Sequence, residues 1–178
     1  MIPLVPWFQR QWSFGLPAGA FPAVLERLRG TPGRAAELVA NVSGRGLSAR
    51  SSGKWSVKDH LGHLSDLHEL DVRRVREFGA RVAVLSAADP SNTRTEQAAH
   101  RAAPVDRIIA TLHRQRLELI EMLQDLEAPE IVAAALHPRL GQPVRLIDWA
   151  AFVADHDDHH LAAARAALGA AGVLSPDA

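Results

Sequence analysis

The chain has 178 residues, with 20 Lys and Arg against 20 Asp and Glu, nine His, and neither Cys nor Tyr. That length suits one domain spanning residues 1–178, and the balanced charge removes the electrostatic case for binding nucleic acid or an acidic membrane surface. Without Cys there is no disulfide, no thiolate metal site and no cysteine nucleophile, so a protein ligand to a metal must be His or carboxylate. The opening Met1-Ile2-Pro3-Leu4-Val5-Pro6-Trp7 lacks the basic segment and apolar core of a signal peptide, and no apolar run approaches the ~18 residues of a membrane span. A cytoplasmic protein is therefore expected.

Period-two runs of β-branched residues are nearly absent, whereas apolar residues recur three and four apart along most of the chain, which predicts an all-α protein. Residues 1–18 read as an irregular segment, broken by Pro3, Pro6, Gly15 and Pro17. A first helix is predicted from about Phe21 to Val42, kinked or split at Gly30-Thr31-Pro32-Gly33. The stretch from Ser43 to Gly53 reads as a loop. Ser56 is a good N-cap for a second helix reaching about Phe78, with Val57, Leu61, Leu64, Leu67, Leu70 and Val75 on one stripe.

Ala88-Asp89-Pro90-Ser91-Asn92 marks a turn, after which a helical stretch opens at Thr95-Glu96 and, from a start signal at Pro104, runs from Val105 to Leu126. A break between Ala128-Pro129 and Pro143 contains His137-Pro138-Arg139-Leu140-Gly141. The last helix opens near Ile147-Asp148 and closes at Leu168-Gly169. Four long amphipathic helices with short breaks predict an antiparallel four-helix bundle, and the long connection between the second and third admits a non-adjacent arrangement.

The residues that carry chemistry are histidines. Three of the nine fall in His156-Asp157-Asp158-His159-His160, and His60 and His63 lie three apart on the second helix. One helical turn separates His156 from His160, so both project from the inward stripe, with His159 at its edge and Asp158 nearly opposite. Two imidazoles so spaced can present nitrogens to one ion at about 2.0–2.1 Å, given a third ligand from a facing helix. Periodicity nominates His60 and His63 equally for that place.

The plain alternative is a set of satisfied core histidines, but burying three together leaves several polar atoms unpaired unless something binds them. His60, His68, His100, His113 and His137 otherwise read as surface or ordinary buried residues. Trp55 and Trp149 read as staples at helix starts. Asp157 and Asp158 read as a solvated shoulder, with Asp157 or Asp66 available to orient an imidazole.

The segment Trp55-Ser56-Val57-Lys58-Asp59-His60-Leu61-Gly62-His63-Leu64 resembles the opening of the second helix in the DinB/YfiT-like metalloenzyme family, in which a Trp-Ser pair precedes a His eight residues after the Trp. His156-Asp157-Asp158-His159-His160 resembles that family's C-terminal element, whose first and last His are ligands. The resemblance selects His63 over His60 and implies a metal triad of His63, His156 and His160. Relatives commonly carry Gln after the last His, where Leu161 stands here.

What the resemblance implies is an up-down-down-up bundle, a homodimer, and a divalent ion, zinc or nickel in relatives. It also implies a reaction in which metal-activated water or a low-molecular-weight thiol attacks a small-molecule electrophile, a hydrolase or thiol S-transferase type. No catalytic residue separates from the ligands in the sequence. Since the chain has no Cys, any nucleophilic sulfur must arrive as a cosubstrate. The competing expectation is a non-catalytic, stress-associated metal-binding dimer, with a fourth protein ligand such as His60, His159 or an Asp closing the coordination.

Overall fold

A computed structural model describes residues 2–51 and 53–170. Its elements in chain order are α1 (Phe21–Val39), α2 (Gly44–Ser48), α3 (Val57–Asp66), α4 (His68–Gly79), α5 (Thr93–Gln97), α6 (Val105–Gln124), α7 (Ala128–Ile131), β1 (Ala134–His137), β2 (Gln142–Arg145) and α8 (Leu146–Ala170). The expected four-helix bundle is present: α1, α3 continued by α4, α6 and α8 are its members. α1 packs on α6 and α8, and α3 packs on the same two, so the first and second helices of the bundle sit diagonally, as do the third and fourth, while the second and third are neighbours. The long segment between α4 and α6 thus joins adjacent helices, not the non-adjacent pair that its length admitted.

Several boundaries differ from the sequence reading. Helix α1 runs unbroken through Pro32, which is buried inside it, and stops at Val39 rather than Val42, ahead of Asn41 at φ 62°. The second predicted helix is two, meeting at Leu67. A single helical turn, α2, forms in the expected loop, capped by the Ser43 hydroxyl on the Gly46 N–H.

The break before the last helix holds an antiparallel hairpin in which Ala134 faces Arg145 and His137 faces Gln142. Its turn ends on Gly141 at φ +64°, a conformation glycine adopts without steric penalty. Residues 2–20 lie along the bundle and are tied to α8, where the Asp148 carboxylate accepts from the Gly15 and Leu16 N–H groups at 3.0 and 2.9 Å.

The core falls into two apolar clusters. One joins Leu28, Phe78, Leu119, Leu123, Trp149 and Ala154 with the hairpin. The other joins Ala35, Leu47, Leu61, Leu64, Leu112 and Leu168. Between them every long helix contributes polar groups: Thr31 from α1, His63 from α3, Asp71 from α4, Arg116 from α6, and Asp157 and His160 from α8, all buried. A polar layer across the middle of a bundle is costly unless its members satisfy one another or bind something. Among the described residues no helix is long and apolar enough to cross a membrane.

Candidate metal centre

The start of α3 sets the register of its histidines. Ser56 caps the helix by accepting from the Asp59 N–H, and Asp59 returns a bond from its side chain to the Ser56 N–H at 2.9 Å, a reciprocal capping box. Burial works against the Asp59 charge, but Arg50 and Ser56 together hold its carboxyl below the usual range. From that fixed start His63 faces α8, where His156 and His160 stand one turn apart. The ring nitrogens these three offer all lie within 4.8 Å of one another. Nε2 of His160 and Nε2 of His156 are 3.1 Å apart, close to the roughly 3–3.5 Å between two nitrogens sharing one tetrahedral cation at about 2.0–2.1 Å.

The far side of two of these rings is also occupied. Nδ1 of His63 lies 3.0 Å from Oγ1 of Thr95, and the Thr95 hydroxyl donates to the Asp66 carboxylate at 2.8 Å. Since the hydroxyl proton is used on Asp66, the His63 Nδ1–H must donate to Thr95, which leaves the lone pair on Nε2. Asp66 is steadied in turn by His100, with Nε2 at 2.9 Å.

Nδ1 of His160 lies 3.0 Å from Nδ1 of His60, so His60 meets the nitrogen of His160 opposite the one facing His156. Trp55 packs over His60, His63 and His160 with ring centroids 4.9–5.9 Å away, and Trp7 stands edge-on to His156 at 4.8 Å. Burial pushes His63 and His60 down to about 4, and burial with neighbouring histidines pushes His156 and His160 far down as well. At neutral pH all four rings are uncharged and able to donate a lone pair.

A pocket of about 340 Å³ opens beside this cluster, with His63 and His156 in its wall. Its floor touches the ion network of the polar layer. Arg116 holds Asp157 in a fork at 2.9 and 2.6 Å and reaches Asp71 at 3.4 Å, while Thr31 donates to Asp157 at 2.9 Å. Burial, together with the charge of Asp157, outweighs Arg116 and pushes the Asp71 carboxyl up to about 6. The site thus combines convergent nitrogen donors, a fixed tautomer and a cavity large enough for a small molecule.

Residues 27–164 match the model of the DinB superfamily. The chain belongs to the DinB superfamily. A solved structure with the same fold is that of YfiT from Bacillus subtilis, described as "a probable metal-dependent hydrolase with an unusual four-helix bundle topology". It is 16% identical, aligns over 92% of this chain and 94% of its own with a TM-score of 0.80, and agrees with the expected up-down-down-up bundle. No functionally curated sequence matches the chain.

Within this DinB-superfamily bundle the sequence reading needs several corrections. Asp157 is not on a solvated shoulder: it is fully buried and paired with Arg116, so it cannot serve an imidazole. Asp66 acts on His63 only through Thr95. Trp149 is a core residue against Phe78, and Trp55 is a wall of the histidine cluster rather than a staple. His113 and His68 need no such correction: the first is exposed, and the second is an ordinary buried residue that pairs with Glu118 at 3.0 Å. Sequence reasoning missed Thr95, on a separate short helix, and the contact of His60 with His160; neither has a spacing signature that ties it to the triad.

Proposed function

We propose that this protein is a divalent-metal-dependent enzyme, with the ion on His63, His156 and His160, that directs water or a low-molecular-weight thiol at a small electrophile. The observation that carries the reading is the convergence of three neutral imidazoles, two buried and one half-buried, beside a 340 Å³ pocket whose wall includes His63 and His156. The donor set fits such an ion: nitrogen-only ligands suit zinc or nickel and do not suit the oxygen-seeking calcium or magnesium. When bound, the cation would supply Lewis acidity that lowers the pKa of water or a thiol toward neutrality.

The chain's own residues supply the rest. Thr95 and Asp66 hold His63 in the tautomer that leaves Nε2 free, and His60 orders His160 from behind. Trp7, Trp55 and Phe152 wall the site from bulk water. The chain contributes no sulfur, so thiol transfer would require a cosubstrate such as glutathione, mycothiol or bacillithiol. The description given to YfiT supports the water branch. The same reading takes residues 1–178 as one functional unit, homodimeric and cytoplasmic, with a small-molecule substrate and no nucleic-acid partner. A purely structural ion is the less favoured reading, because His60 addresses the far nitrogen of His160 and a pocket adjoins the triad.

Elemental analysis of natively purified protein is expected to give about one zinc or nickel per chain. His63→Ala, His156→Ala and His160→Ala should each cut both metal content and any thiol-dependent or hydrolytic turnover by about 100-fold or more. A metal-free protein whose properties survive all three substitutions would end the proposal.

A further inference from the structure

The pocket beside the three histidines has two arginines, Arg74 and Arg139, without an ion pair among the described residues, and carboxylates that are already engaged. Arg74 is buried and turns both Nε and Nη2 onto the Ser86 carbonyl at 3.0 and 2.7 Å, leaving Nη1 without a hydrogen-bond partner among the described residues. Arg139, on the exposed hairpin turn, has no ion pair among the described residues. Its guanidinium lies 5.2 Å from the Phe8 ring centroid and 5.6 Å from that of Phe152, which fixes it at the pocket rim.

His137 is only 3% exposed. Its Nδ1 accepts from the Leu140 N–H at 3.3 Å, so its proton resides on Nε2, and that buried Nε2 has no partner. Burial first, then the charges of Arg74 and Arg139, hold this ring neutral with a pKa of about 4, so at pH 7 it is an N–H donor and not a third cation. Both carboxylates of the wall are engaged: Asp71 by Arg116, and Asp89 by the N–H groups of Ser91 and Thr93. Much of the remaining wall is apolar, including Leu67, Leu70, Phe152 and Val153.

We infer that the pocket takes a small hydrophobic acid whose carboxylate or phosphoryl oxygens are received by Arg74, Arg139 and the Nε2–H of His137, with its apolar body directed toward His63 and His156. Forked guanidinium groups and an orphaned donor are the chemistry that recognises such an oxyanion. Calling the acid a substrate rests on the metal-enzyme reading, whereas the anion site stands on its own residues. The site also orients the ligand, since the anionic end is held on the α4 and hairpin side and the other end is left beside the triad.

Isothermal titration of the purified protein with benzoate, phenyl phosphate and benzamide tests this. At least one of the two anions should bind about tenfold or more tighter than the neutral amide, and which one does so separates a carboxylate from a phosphoryl ligand. Arg74→Gln should abolish the preference. Arg139→Gln, on an exposed turn, should weaken it about fivefold or more while the unfolding midpoint and metal content stay unchanged. Equal affinity for all three probes, or an Arg139→Gln protein that binds like the parent, overturns the inference. His63→Ala separates the two proposals: loss of metal with the anion preference retained supports both, a parent protein that prefers anions but never holds metal sinks only the enzyme reading, and a metal-loaded parent indifferent to charge sinks only the anion site.

Discussion

Thr95 decides which nitrogen of His63 is free, and it does so through one hydroxyl with one proton. Replacing it with Val keeps the shape and removes the acceptor, so Thr95→Val should weaken metal binding by about 10- to 100-fold in a chelator-competition titration, while Thr95→Ser holds near the parent value. Equal affinity in all three proteins would remove Thr95 from the centre. Arg116 is the other residue on which neighbours depend. Arg116→Met strands Asp157, fully buried, and should cost about 3–5 kcal/mol in urea unfolding; a loss under about 1 kcal/mol would mean that the pair does not hold the polar layer together. At this scale the sequence was legible where spacing speaks. His156 and His160 fall one turn apart, whereas Asp157 looked solvated because nothing in its own segment announces Arg116, 41 positions away.

Elements carry the site by where they start and how closely they approach. Ser56 was readable as a cap, and with it the face on which His63 lies. Gly62 was not readable, since its role is contact across a long connection: a Cβ there would come within 2.3 Å of the His100 ring, which is bonded to Asp66. Gly62→Ala should therefore lower stability by about 1–3 kcal/mol through overpacking, and adding His100→Ala should restore part of it; if the single change is neutral by thermal denaturation, the approach of α3 to residue 100 is looser than described. The hairpin escaped the sequence because its strands have four residues each and β1, Ala134-Ala135-Leu136-His137, has no β-branched residue. That omission hid the positions of His137 and Arg139. The split at Leu67 was hidden for a different reason, because the apolar stripe runs through it without interruption.

Taken whole, the bundle places uncharged histidines where charge cannot be tolerated, and this sets its response to acid. His60, His63 and His137 have pKa values near 4 in the fold, and His156 and His160 are also well depressed, against about 6.5 in an unfolded chain. Between pH 6.5 and 4 the unfolded state binds more protons, so stability falls as pH falls, by up to about 1.4 kcal/mol per pH unit for each such ring. Asp71, raised to about 6, works in the opposite sense but is one group against five. Urea midpoints of metal-free protein should drop steadily from pH 6.5 to pH 5. A flat or rising profile would show that the rings are solvated.

The central claim is that His63, His156 and His160 share one cation. X-ray absorption at the metal edge of natively purified protein tests it most directly. Three imidazole nitrogens at about 2.0–2.1 Å with a remaining light-atom ligand from solvent are predicted, falling to two imidazoles or to an empty site in His63→Ala. A spectrum with fewer than three imidazoles in the parent, or one that His63→Ala leaves unchanged, would contradict the account.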